Sequence, residues 1–204
     1  MKTERVQAFS DGVFAILITI LVLELKLPHY QEGHLLEAIF QQWPILLAYI
    51  ISYSYIGILW LFHHDLFNTV KKTTIQLNIL NLFSLFMVTL LNFSTVLISE
   101  SMLSNNTNDM IVAFCLYDGL AFLISFSYLL LYFYLSQHES LLQEGTTYYY
   151  TKKALKYPIL SMSIYLIAFL TTFFYIYLGA SLLILGIVFH GYAYYKTALS
   201  HKEK

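Results

Sequence analysis

Long apolar stretches alternate with short polar breaks along this chain, and the breaks divide it into six segments, approximately 5–26, 43–66, 74–99, 110–136, 157–178 and 180–196. Each is long enough, or nearly so, to cross a hydrocarbon layer of about 30 Å as a helix of about 20 residues. The first segment carries its own anomaly. Its uninterrupted apolar run, Val13 to Leu23, is too short to span alone, so the helix must take in Phe9, Ser10 and Asp11. Charge inside a membrane helix is costly enough to count as a functional clue. The last two segments are separated only by Leu178-Gly179-Ala180, which reads as the tight link of a helical hairpin, and the sixth is the shortest. No Pro/Gly-rich linker interrupts the chain, so residues 1–204 are expected to form a single six-helix transmembrane domain.

Composition supports an all-α integral membrane class. Hydrophobic residues make up 58% and charged residues 11%, against about a quarter charged in soluble domains, and the mean hydropathy is +0.65. The net charge of -1 speaks against a nucleic-acid partner, and a single cysteine, Cys115, excludes an intramolecular disulfide and any Cys-rich metal site. Lys2 and Arg5 ahead of an apolar core also fit a signal peptide, but no small-x-small cleavage pattern follows and Glu24 and Lys26 close the run.

Six spans put Lys2, Arg5, Lys71, Lys72, Lys152, Lys153, Lys156, Lys196, Lys202 and Lys204 on one side and only Lys26 on the other, which makes both termini cytoplasmic by the positive-inside rule. Residues 29–42, with Leu35, Leu36, Ile39 and Phe40 at helical spacing, read either as a short amphipathic helix on the outer face or as an ordinary loop. Tyrosines at Tyr148 to Tyr150, Tyr157 and Tyr192 to Tyr195 suit anchoring at the cytoplasmic boundary.

A helical advance of 100° per residue places Arg5, Phe9, Gly12, Ile16, Thr19, Ile20 and Leu23 on one stripe of the first helix, with Ser10 and Asp11 on other sides. Several copies of that stripe around an axis would stack Ile16, Ile20 and Leu23 into apolar rings, a constriction that resists wetting. An aliphatic stripe that merely packs on neighbouring helices has the same periodicity. No TVGYG-like loop is present, so a carbonyl-cage filter is not expected.

Depth can be compared once orientation is set. The first helix starts, the second ends and the third starts on the cytoplasmic side, which brings Arg5 to Asp11, Trp60 to Asp65, and Asn78 with Asn81 to similar levels. Groups of this kind seek protein partners in lipid. Arg5, Phe9, Ser10, Asp11, Trp60, His63, His64, Asn78 and Asn81 are therefore the candidate helix-positioning network, with Arg5 near the cytoplasmic mouth. Ser10-Asp11 also fits a helix N-cap before Val13, at the cost of a helix too short to span. His63-His64-Asp65 invites a metal reading, but adjacent histidines on a helix point about 100° apart and no third ligand set is evident. Asp118 and His190 lie nearer the membrane interior without an assigned role.

Arg5-Val6-Gln7-Ala8-Phe9-Ser10-Asp11 matches R-x-x-x-F-S-D, and together with the following GVFAILITILVLEL and residues Trp60 to Asp65 it resembles the transmembrane protein 175 family of potassium channels. One signature and six spans resemble the bacterial form, a single six-helix unit that assembles as a homotetramer, rather than the two-unit animal form. The resemblance implies a first helix lining a central pore, with Ile16 as the main constriction, Ile20 and Leu23 as rings above it, and Thr19 as a hydroxyl layer for a partly dehydrated ion. It implies potassium as the permeant ion, no cofactor and no structural metal, and as partners further copies of the chain and the lipid of a bacterial cell membrane. The competing class is a proton-coupled secondary transporter using Asp11, Asp118 and the histidines, for which no internal repeat or interrupted helix is obvious. An intramembrane enzyme is disfavoured because neither G-x-S-x-G nor H-E-x-x-H occurs.

Overall fold

The computed structural model describes residues 2–25, 28–144 and 154–202, and every regular element among them is helical. Helix α1 (Thr3–Leu21) runs into a single 3-10 turn at Val22–Glu24, followed by the short α2 (Leu35–Gln41) and the long α3 (Trp43–Asn68). Then come α4 (Ile75–Thr89), α5 (Leu91–Ser104), α6 (Thr107–Gln137), α7 (Lys156–Thr172) and α8 (Ile176–Lys202). Among the described residues, five helical segments are long and apolar enough to cross a membrane: Thr3–Glu24, Trp43–Asn68, Ile75–Ser104, Thr107–Gln137 and Ile176–Thr197. The chain is thus a multi-pass helical membrane protein. Helix α7, with 17 residues, is shorter than the roughly 20 that spanning takes.

Local chemistry sets the boundaries. Pro44 occupies the first turn of α3, where its missing N–H costs nothing. The Thr74 hydroxyl accepts the Leu77 N–H at 3.1 Å to start α4, and Asn106 accepts the N–H groups of Asn108 and Asp109 at 2.9 and 3.2 Å to start α6. Asn105 ends α5 in the left-handed conformation, φ 52°. The third apolar segment is divided at Leu90 into α4 and α5. The preceding Thr89 hydroxyl donates to the Phe86 carbonyl at 2.7 Å, a side-chain bond to the previous turn that bends helices.

Helix α1 packs on α3 and touches α4 and α5, while α7 packs on α6 and α8. The contacts bury Tyr55, Leu59, Leu77, Ile124 and Leu131 between the layers. At the end of the bundle where α1 begins, the turn after α3 meets the segment after α6. Lys71 N–H donates to Leu141 C=O at 2.7 Å and Gln143 N–H to Thr69 C=O at 2.9 Å, around the bridge Val70–Leu142. That contact places the two connections at one end of the bundle, as their shared lysine content anticipates. Of the residues used for orientation, Lys26, Lys152, Lys153 and Lys204 lie outside the described residues, as do Tyr148 to Tyr150.

The expected hairpin differs from the observed one. The link is Phe173 to Tyr175, with Phe174 and Tyr175 N–H both donating to Thr171 C=O at 3.0 and 2.9 Å, and Leu178-Gly179-Ala180 lies inside the first turns of α8. The fifth helix is therefore shorter than 157–178, and the sixth, far from being the shortest, extends over 27 residues. The misplacement has a physical cause. Gly179 serves close packing instead of a turn: a Cβ added there would meet the Thr172 side chain and stand 2.8 Å from its Cα. Segment 29–42 is helical only at α2, whose Leu36 and Phe40 face outward.

Gly179→Ala is expected to destabilise the protein by about 1–3 kcal/mol through overpacking at Thr172. Gly57→Ala, with nothing within 4 Å of its added Cβ, should leave stability unchanged or raise it by up to about 1 kcal/mol. Thermal unfolding in detergent compares the two, and equal midpoints would remove the packing role of Gly179.

Candidate functional site on the first helix

Helix α1 has two faces that the sequence spaces at three and four residues. Val6, Ser10, Phe14, Leu17 and Leu21 are buried, pointing into the packing with α3, α4 and α5. On the other side Ile16 is 57% and Ile20 43% exposed, in line with exposed Arg5, Phe9, Gly12 and Thr19, and Leu23, in the 3-10 turn that follows the helix, is 70% exposed. These large aliphatic side chains are only partly covered by their own chain. The Thr19 hydroxyl spends its proton on the helix backbone, 3.0 Å from Ala15 C=O and 2.9 Å from Ile16 C=O. What it offers outward is therefore an oxygen lone pair.

The buried side is fixed by polar contacts to two other helices. Ser10 is fully buried, donates to the Val6 carbonyl at 3.0 Å and accepts the Asn81 amide at 3.0 Å. Asn81 Oδ1 lies 2.6 Å from His63 Nε2, so that nitrogen donates and the amide bridges α1, α3 and α4. The His63 ring stacks on Phe67, with centroids 4.5 Å apart, and meets Phe14 of α1 at 5.4 Å. One residue along, Asp11 Oδ1 accepts the Trp60 indole N–H at 2.9 Å and stands 3.4 Å from His64 Nδ1. The two histidines thus turn to different partners, as expected for neighbours on a helix.

Asn78, Arg5 and Phe9 are not brought into this cluster. Asn78 Oδ1 is buried without a hydrogen-bond partner; it sits almost one turn before Asn81, about 4.5 Å along α4, which is beyond hydrogen-bond reach of the same groups. Arg5 and Phe9 belong to the exposed face of α1. Gln7 and Asn68, both absent from the sequence expectation, do join. Gln7 donates to Asn68 Oδ1 at 2.7 Å and lies 3.4 Å from His64 Nδ1. The signal was available, since Gln7 precedes Asp11 by four residues and shares its face. Asn92 of α5 reaches the Leu17 carbonyl at 3.5 Å.

Asp118 and His190 lie elsewhere, in the packing of α6, α7 and α8. Thr172 donates to Asp118 Oδ2 at 3.3 Å, and His190 stacks on Tyr165 with its Nδ1 3.2 Å from the phenol oxygen and 3.0 Å from Gly186 C=O.

A multi-pass helical bundle that holds its first helix by buried polar contacts to two others belongs to the class of polytopic helical membrane proteins. Comparison with known proteins narrows the class. A family model described as endosomal/lysosomal potassium channel TMEM175 matches residues 5–91. A protein of Chamaesiphon minutus named as a potassium channel is 30% identical over 192 residues, 92% of this chain and 93% of its own length. Another potassium channel, from Streptomyces collinus, is 42% identical over 100 residues, and there the match spans only 48% of either protein. The crystal structure of a lysosomal potassium-selective channel TMEM175 homolog from Chamaesiphon minutus superposes with a TM-score of 0.80 at 28% identity, covering 94% of this chain and 97% of that one. The chain belongs to the TMEM175 family.

The bridge through Asn81 predicts the largest loss of stability at this site. Asn81→Ala removes a partner from Ser10 and from His63 at once, and leaving buried polar groups unpaired costs about 1–3 kcal/mol. The double-mutant cycle Asp11→Ala with Trp60→Phe should return a coupling of about 0.6–2 kcal/mol, the range for interhelical hydrogen bonds in membranes. Additive effects in thermal unfolding would mean that the indole–carboxylate contact does not hold α1.

Proposed function

We propose that this chain forms a potassium-permeable cation channel, a homotetramer of six-span subunits in a bacterial cell membrane with both termini cytoplasmic and α1 lining a central pore. Support comes from membership in a family whose relative from Chamaesiphon minutus, matched over nearly its whole length, is named a potassium channel; the relatives from Gallus gallus and Homo sapiens, matched over 42% of this chain, are named endosomal/lysosomal proton channels. The observation that carries the reading is the division of α1: Ser10 and Asp11 bond inward, and Ile16 and Ile20, with Leu23 in the turn beyond, are exposed. In this reading α7 is the remaining span, residues 1–204 act as one domain, and potassium is transported without a cofactor or structural metal.

The mechanism follows from side-chain chemistry. Four copies of Ile16 around the axis narrow the path with groups that offer a hydrated ion no replacement ligands, so passage depends on how much of its water shell the ion must shed. Potassium holds that shell less tightly than sodium and is favoured. Thr19, one turn further along, presents oxygen lone pairs because its proton is bonded to its own backbone, and it compensates the partly dehydrated ion. Ile20 and Leu23 continue the apolar wall, and Gly12 leaves space on the cytoplasmic side, where Arg5 stands at the mouth. Ser10, Asp11, Trp60, His63, His64 and Asn81 act through α1 by fixing its rotation, as positioning residues that do not touch the ion.

Recording from purified protein in planar bilayers tests this, with the oligomeric mass measured in detergent. Unitary current steps carried by potassium from a tetramer are expected, whereas saturable flux that requires a proton gradient and shows no unitary steps would establish a transporter instead. Ile16→Asn should widen and wet the constriction and raise sodium permeation relative to potassium. Unchanged conductance and selectivity in that variant would remove Ile16 from the filter.

A further inference from the structure

We propose that the cavity at the seam of α3 and α8 is a binding site for one acyl chain of a membrane phospholipid. The cavity has a volume of about 120 Å³ and lies among α3, α5, α6 and α8. Two small residues facing across the seam, Ala48 and Ala180, leave it open, and Ile98, Phe114 and Leu183 form its buried wall. At its floor Ser52 Oγ lies 3.0 Å from the Tyr117 hydroxyl and 2.7 Å from Thr95, whose hydroxyl also reaches Leu91 C=O at 2.7 Å. These hydroxyls partner one another and the backbone. They are the polar side-chain groups of the lining, which is otherwise apolar, so a water, which needs two to four polar partners to occupy a cavity, finds few of them there. An apolar void of roughly 150 Å³ with similar walls stays dry and takes up small hydrocarbons.

Depth identifies the hydrocarbon. Counted from the helix ends at one side of the bundle, Ala48 lies five and Ser52 nine residues into α3, Tyr117 ten into α6, Leu183 seven into α8, and Ile98 six from the end of α5. At 1.5 Å per residue these positions stand about 7–15 Å below that end, within one leaflet of a core about 30 Å thick. The opening is marked by Leu47 and Ile184, 40% and 42% exposed. On the same two helices, Leu46, Ile50, Leu185 and Val188 are also exposed. The only apolar molecules abundant at that level are lipid chains, and one entering laterally restores the dispersion contacts that the two alanines forgo.

The test is photolabelling of the full chain in liposomes of phosphatidylcholine doped with the same lipid carrying a diazirine at the middle of one acyl chain, with adducts mapped by peptide mass spectrometry. Adducts are expected on Phe114, Ile98 or Met102 inside the cavity as well as on outward residues such as Val188. In Ala48→Leu, and separately in Ala180→Leu, the inner adducts should be lost while the Val188 adducts persist. Either variant that fails to fold is replaced by the other, and the wild-type map is decisive without them. Adducts confined to outward-facing residues, meaning surrounding lipid only, would overturn the site. So would inner labelling unchanged by filling the void, or protection of Leu47 and Ile184 by a second copy of the chain.

Discussion

Rotation of α1 about its own axis is the degree of freedom on which the proposed site depends, and a small set of hydrogen bonds removes it. In lipid an apolar helix face has little to gain from choosing protein over acyl chains, because both are equally apolar. Aliphatic packing alone would therefore hold α1 weakly and in more than one rotational setting. Ser10 to Asn81 and Asp11 to Trp60 are directional, and they point to different neighbours, α4 and α3. Two bonds at adjacent residues with diverging partners fix an angle as well as a distance. The His63 ring completes the bracket by meeting Asn81 through its nitrogen and Phe14 of α1 through its face.

The same logic accounts for the arrangement of polar groups across the bundle. Those that join helices occur as sets: Ser52, Thr95 and Tyr117 tie α3, α5 and α6, while Tyr165 and His190 tie α7 to α8. Ser127 and Ser84 do the same between α6 and α4. Serine and threonine hydroxyls also fold back on their own helices, as at Ser163, Thr171 and Ser181, which gives the hydroxyl an acceptor within its own helix. A hydroxyl in these helices marks a junction only where it meets a side chain of another helix, as Ser10 meets Asn81 and Ser84 meets Ser127.

That distinction explains what could be read from the chain before its structure. The division of α1 into faces was legible because 3.6-residue periodicity assigns sides without knowledge of neighbours, and Ile16, Thr19, Ile20 and Leu23 fall on the uncovered side. That Ser10 and Asp11 lie level with Trp60, the histidines and the asparagines followed from depth, which alternating helix direction determines, whereas the pairing of Asp11 with Trp60 and of Ser10 with Asn81 did not. Depth did not discriminate Asn78 from Asn81, because a shift of one turn is smaller than the uncertainty of a helix end and larger than the reach of a hydrogen bond. Gln7 was missed although it shares the face of Asp11, because its partner Asn68 lies beyond the stretch Trp60 to Asp65. The α7–α8 turn was misplaced for a different reason. A glycine can mark a bend or a close approach, and sequence alone does not tell the two uses of Gly179 apart.

Because the bonds that secure α1 and the side chains it leaves uncovered lie on opposite sides of one helix, they can change independently. Replacing Ile16 alters no donor or acceptor, and replacing Asn81 alters no uncovered side chain. The helix is in this respect a spindle with exchangeable facing: its bearings sit in the protein interior, and the material presented outward can be varied by substitution while the axle stays true. Relatives of such a chain are free to diverge in what they admit long before they diverge in how they are assembled.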